Sequence, residues 1–258
     1  MEPIRLHMRV TAALMIREMS TRYGSKPGGY VWALVEPIAY IGLLTLVFSA
    51  IARLPALGNS FSLFFASGYL PFMFFHSVQA FIAGGVKANR ALLNYPIVSP
   101  IDVLVARYVV QLLTSTLVAV LVLALVILED GVTLFLDMGE IVPSLLSASL
   151  LGAGIGVANA SLFARSALYE QVYGIISRPL MMVSGVFFLP ESMPHPYGDL
   201  LLLNPIAHVI TWFRRGIYPE YRAHSLDVFY VVVFTSVALM VGLMLFTYSS
   251  QQLREDRL

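Results

Sequence analysis

The chain has 258 residues, of which 58% are hydrophobic and only 12% charged, with a formal net charge of +1 and no cysteine. So apolar a composition excludes a soluble enzyme, the near-neutral charge offers no electrostatic footprint for nucleic acid, and the missing thiols exclude disulfide frameworks and thiolate metal sites.

The first 30 residues form the first element. Arg5, Arg9, Arg17 and Arg22 alternate with an apolar strip at Met8, Ala12, Met15 and Met19, whose 4, 3, 4 spacing places it on one helical face. This predicts a helix lying in the cytoplasmic membrane interface, with Gly24, Pro27, Gly28 and Gly29 supplying a break after it. Some of the residues ahead of the first apolar run are acidic, so no cleaved leader is expected, and Ala50-Ile51-Ala52 reads as small residues at a helix end.

Six apolar stretches follow, at 31–52, 61–83, 103–128, 141–163, 172–189 and 228–248. Each approaches or exceeds the roughly 20 residues that carry a helix across hydrocarbon, which predicts an all-α integral membrane protein with six transmembrane helices in a single domain. Between the second and third spans, 86–100 is too long and too apolar for a simple turn. Leu92, Leu93, Tyr95 and Ile97 would be covered either by a partner protein, on a short cytoplasmic coupling helix, or by the chain's own helix ends; composition favours neither. The segment 129–140 is acidic, with Glu129, Asp130, Asp137 and Glu140, and reads as a solvent-exposed loop. In 190–227 the apolar runs are interrupted by Asn204-Pro205 and end at Arg214-Arg215. Neither half can span, so a re-entrant or interfacial outer hairpin is expected, with Trp212 and Tyr218 at the headgroup level.

Orientation follows from Lys and Arg at the span ends. Twelve basic residues fall on the side of the N-terminus, including Lys87, Arg90, Arg107, Arg165 and Arg178, against four (Arg53, Arg214, Arg215 and Arg222) on the other. Both termini are therefore expected in the cytoplasm.

Chemistry-bearing motifs are sparse. No phosphate-binding loop is present, since Gly24-Ser25-Lys26 lacks the upstream glycine spacing, and Gly152, Gly154 and Gly156 lie inside an apolar span where small residues let helices approach. His76 and His208 have no metal-ligand spacing, and Asp102 reads as a helix-start residue. Glu36, on the first span, invites pairing with Arg107 or Arg178. A polytopic transferase would need a clustered acid–base or metal site, and an ion-coupled transporter an internal repeat; neither is evident.

Several runs carry a family resemblance. Arg17-Glu18, Arg22-Tyr23-Gly24 and the stretch from Tyr30 through Trp32 to Glu36-Pro37 resemble the start of ABC-2 type membrane subunits of the capsular polysaccharide export family, the KpsM-like permeases. Asn94 to Pro100, Gly185 to Pro194, and Asn204-Pro205-Ile206-Ala207-His208 leading to Phe213-Arg214-Arg215-Gly216 match in order. The resemblance implies an ABC-2 (type V exporter-like) fold. It also implies a homodimer working with two copies of a cytoplasmic ATPase that alone holds ATP and Mg, in the bacterial inner membrane. Arg17, Glu18, Arg22, Arg90, Leu92, Leu93, Tyr95 and Pro96 would couple to that ATPase. The cargo would be a lipid-linked, often acidic glycan handed on to periplasmic and outer-membrane export proteins. Aromatic rings stack on pyranose faces while tolerating hydroxyls, so for such a cargo Trp32, Tyr40, Tyr69, Phe187 and Phe188 are nominated as channel lining, with Arg214 and Arg215 as contacts for acidic sugars or lipid phosphate. Permeases for O-antigen, teichoic acid, lipids or small molecules are the alternative.

Overall fold

The computed structural model describes residues 2–23, 28–95, 97–131 and 136–255, without the side chains of 2–6, 22, 23, 94 and 250–255. In chain order the helices are α1 (Glu2–Tyr23), α2 (Val31–Ile51), α3 (Phe61–Ala83), α4 (Gly85–Ala88), α5 (Pro100–Asp130), α6 (Met138–Arg165), α7 (Ala167–Ser177), α8 (Tyr197–Leu202), α9 (Pro205–Ile217) and α10 (Val228–Glu255). Short 3-10 turns at Leu92–Asn94, Pro179–Ser184 and Pro190–Ser192 complete the helical set, with no strand among the described residues.

Local chemistry sets the helix starts. Ser60, Asp137, Ser166 and Asn204 each accept a backbone N–H of the first turn of α3, α6, α7 and α9. At α5, Ser99 and Asp102 form a reciprocal capping box with Pro100 beginning the helix, so Asp102 is the helix-start residue its position suggests.

Helix α3 is the central post, packed most extensively against α6 and then α5. Hydrocarbon supplies no hydrophobic drive between helices, so close approach must do the work. Along α6, Gly152 and Gly156 lie against the α3 backbone at Phe75 and Gln79, while Gly154 faces α10 at Ala238 and Leu239. A Cβ on Gly242 would run into the Gly154 carbonyl, so only glycine fits that crossing. The GxGxG run is thus a packing device read by two neighbours at once.

Five of the six expected spans are helices long and apolar enough to cross a membrane. The stretch 172–189 is not one helix. It begins earlier, at Ala167, and breaks at Arg178, because Pro179 cannot donate to the helical ladder; the 3-10 run that follows ends at Gly185, in left-handed backbone (φ 79°). Its course is fixed at both ends. Tyr169 donates to Asn159, level with the Ala83 end of α3, and Val186 lies against Gly68. Those levels are 15 residues of α3 apart, about 22 Å at the helical rise. This segment therefore climbs most of the bundle as a broken strut.

The two ends of the bundle differ. One holds α1, α4 and the last turns of α6 and α10, where Arg165 donates to Ser249. The other holds α8 and α9, neither long enough to cross. Of the 13 residues of α9, all but Arg215 are buried, so this interrupted segment is covered by protein. Trp212 and Tyr218, expected at the headgroup level, are inside this cap rather than on its rim.

Candidate functional site: a groove between two polar locks

Helix α2 is held loosely, with 11% of its apolar window buried, and its inward side faces open space bounded by α3 and α5. A cavity of about 290 Å³ there is lined by Trp32, Glu36, Tyr69, His76, Gln111 and Ser115, among others. It adjoins a more open one of about 600 Å³ lined by Trp32, Glu36, Tyr40 and Tyr69. Tyr40 and Tyr69 stack with centroids 4.8 Å apart, and His76 lies nearly parallel to Phe72 at 5.7 Å. Ser77, Ser115 and Gln111 form a hydrogen-bonded chain along one wall. The groove thus sets aromatic faces beside hydroxyl, amide, imidazole and carboxylate groups inside an apolar bundle.

Three of the five nominated channel aromatics, Trp32, Tyr40 and Tyr69, come together here. Phe187 and Phe188 do not. Phe187 lies nearer the α9 end, stacked on Phe48 of α2 at 6.4 Å, and Phe188 is tied through its carbonyl to Arg214. In the sequence Glu36 invites pairing with Arg107 or Arg178, and His76 shows no metal-ligand spacing. Both line the groove, together with Tyr69. Helical spacing from Trp32 was the available signal, since i and i+4 share a face.

At the α9 end, Arg214 does not present its charge to a channel. Its side chain is fully buried, with the guanidinium donating to the carbonyls of Gly185 (2.8 Å), Val186 (2.9 Å) and Phe188 (3.1 Å) and lying over the Phe64 ring at 4.4 Å. Gly68 makes this fit, because a Cβ there would sit 2.7 Å from an Arg214 nitrogen. One cation thus satisfies the carbonyls freed where the broken strut ends. Arg215 pairs instead with Glu140 at 2.6 Å, and Trp212 donates to the same carboxylate, so the acidic loop is in part a docking point. His208 accepts from the Asp227 N–H through Nδ1 and meets the Leu202 carbonyl at 2.8 Å through Nε2, which requires the Nε2–H form. It is a satisfied histidine, and no metal-binding cluster occurs among the described residues.

At the α1 end a second lock forms. Glu18 is buried and accepts from Arg107 Nε at 3.0 Å and from Asn89 Nδ2 at 2.7 Å; Arg107 also donates to the Phe81 carbonyl, and Arg17 to Asn89. One carboxylate so joins α1, the turn after α4, and α5, and Arg107 is taken by Glu18 rather than by Glu36. The face of α1 that docks carries His7, Leu14 and Glu18, with Val10 and Met15 beside them, while Met8, Ala12 and Met19 of the expected apolar strip remain exposed. The expected coupling helix is two short pieces, α4 and Leu92–Asn94. Leu92, Leu93 and Val98 pack on Leu14, Val103 and Ala106, while Arg90, Tyr95 and Ile97 stay exposed. Of the two coverings weighed from composition, the chain's own helix ends account for Leu92 and Leu93, and Tyr95 and Ile97 are left uncovered by this chain. Pro96 and the Arg22 side chain lie outside the described residues.

Five long apolar helices around a polar groove, with the short helix α9 buried at one end, define a polytopic helical membrane protein. The model of the ABC-2 type transporter family matches residues 9–218. Polysialic acid transport protein KpsM of Escherichia coli is 31% identical over 234 residues, 91% of either chain. Capsule polysaccharide export inner-membrane protein CtrC of Neisseria meningitidis is 26% identical over 94% of this chain and 92% of its own, and BexB of Haemophilus influenzae 22% over 95% and 92%. This chain belongs to the ABC-2 type transporter family.

Proposed function

We propose that this chain is the membrane permease of an ATP-driven exporter that moves lipid-linked capsular polysaccharide out of the cytoplasm across the bacterial inner membrane. The observation that carries the reading is the groove. Trp32, Tyr40 and Tyr69 give stacking faces for pyranose rings, and His76, Gln111 and Ser115 give partners for their hydroxyls. Similarity over 91% of the chain to a named polysialic acid transporter supports the cargo class.

The α1 end faces the cytoplasm in this reading, as the excess of Lys and Arg there favours, and both termini lie on that side. Two copies assemble with two copies of a separate ATPase, which alone binds ATP and Mg. Arg90, Tyr95 and Ile97 supply the exposed contact, and the Glu18 lock passes its movement to α1 and α5 together. Export proteins of the periplasm and outer membrane receive the acidic glycolipid polymer.

Deleting the gene from its host and restoring it tests this. Polymer should be trapped inside on deletion and return to the surface on restoration. Surface polysaccharide unchanged by deletion would reject the cargo.

A further inference from the structure

Charged residues exposed at membrane depth are expensive and mark contacts or pathways. The exposed faces of α5, from Ile101 to Leu128, and of α10, from Phe229 to Tyr248, carry none. Those faces meet lipid without cost. The exposed surfaces of α2 and the broken strut are different: beside Glu170 of the strut, which pairs with Lys87 at 2.9 Å, they carry Glu36 on α2 and Arg178 at the break. Among the described residues neither has an ion-pair partner, whereas Arg107, Arg165, Arg214 and Arg215 are all engaged.

The two charges lie at the same depth. Glu36 neighbours His76, seven residues before Ala83 on α3 and so about 10 Å above it. Tyr169 donates to Asn159, level with Ala83, and Arg178 follows nine residues later. From Tyr169 to Val186 the strut rises about 22 Å in 17 residues, about 1.3 Å per residue, so Arg178 stands about 12 Å above Ala83. An offset near 2 Å between opposite charges is within the reach of an arginine side chain.

Neither surface is covered by this chain. No residue of α7 is buried, and α2 is the least buried of the membrane-crossing helices. We infer that a second copy of this chain covers them, so that Glu36 of one copy pairs with the partner's Arg178 beside the aromatic groove, and reciprocally through two-fold symmetry. Each copy contributes one carboxylate and one guanidinium, so the two pairs neutralise all four charges at that depth. They would hold the two halves of the path together at their waist. The inference rests on the proposed function only in requiring a second copy, and not on the nature of the cargo.

Because the chain has no cysteine, single introduced thiols are unambiguous. A chain with Glu36→Cys and one epitope tag is co-expressed in membranes with a chain carrying Arg178→Cys and another tag, then treated with a short bismaleimide. A doubly tagged dimer is expected, and none when Leu117→Cys on the exposed face of α5 replaces Arg178→Cys. No doubly tagged dimer, or as much with Leu117→Cys, would overturn the pairing. In a second measurement, Glu36→Arg or Arg178→Glu alone should abolish surface polymer and the exchanged pair should restore most of it. Continued loss in the exchanged chain, at normal membrane abundance, would also overturn it. The cross-link needs no cargo, so it succeeds or fails separately from the polysaccharide assignment.

Discussion

The cap at the α9 end and the groove beside α2 both place charge and aromatic rings in the membrane region, yet they use them differently. In the cap each group is consumed: Arg214 by three carbonyls and a phenyl face, Glu140 by Arg215 and Trp212, His208 by backbone on both sides. In the groove Glu36 and His76 face open space beside Trp32 and Tyr69. A buried polar group that is fully paired builds the fold, and one left facing a cavity is held for something that is not part of the chain.

This contrast predicts opposite mutational phenotypes. The largest effect belongs to the cap. Arg214→Leu would orphan three carbonyls at about 1–3 kcal/mol each, so the chain should fail to accumulate in membranes by immunoblot. Arg214→Lys, a point charge that cannot fork, should be present at reduced level. Gly154→Val comes next. Its methyls must enter backbone at Ala238 and Leu239, and overpacking of this kind costs about 1–3 kcal/mol or more, read as a lower melting temperature of purified protein.

Groove variants should invert the pattern. Trp32→Ala removes a ring that is 57% exposed and should leave abundance and melting unchanged while surface polymer falls. Tyr95→Asp, at a 63% exposed position of the α1 end, should insert normally and lose export together with cargo-dependent stimulation of the ATPase. If either variant instead melts early, the division between architecture and pathway is misplaced.

The smallest effect is expected at His195. The Asp199 carboxylate, 2.8 Å away, raises its pKa by hydrogen bond and charge, but the ring is fully exposed. A raised folded-state pKa stabilises in acid, and the gain is lost as pH rises through that raised value. His195→Gln should therefore melt marginally lower than the parent below the histidine range and identically above it.

Much of this was legible in the sequence. Five apolar runs became helices within three residues of their expected ends, apart from α10, which continues past Tyr248. The stretch 172–189 misled because hydropathy averages over side chains, while the break at Arg178-Pro179 and the left-handed Gly185 are backbone facts. The aromatic groove could be half read, since Trp32, Glu36 and Tyr40 recur at helical spacing. The locks could not. Glu18 and Arg107 are 89 residues apart, and Arg214 reaches carbonyls, which leave no mark in a sequence. The docked face of α1 was hidden for the same reason: a charged Glu18 belongs to the buried face only because Arg107 meets it there.

The central claim is that glycan leaves along the groove beside α2. The most direct test restores a deletion strain with Tyr69→Ala, whose ring forms the shared wall of both cavities, and measures surface against intracellular polysaccharide at matched permease abundance. Polymer retained in the cytoplasm at normal chain level is the result this account predicts. Surface polymer at the parental level would place the path elsewhere.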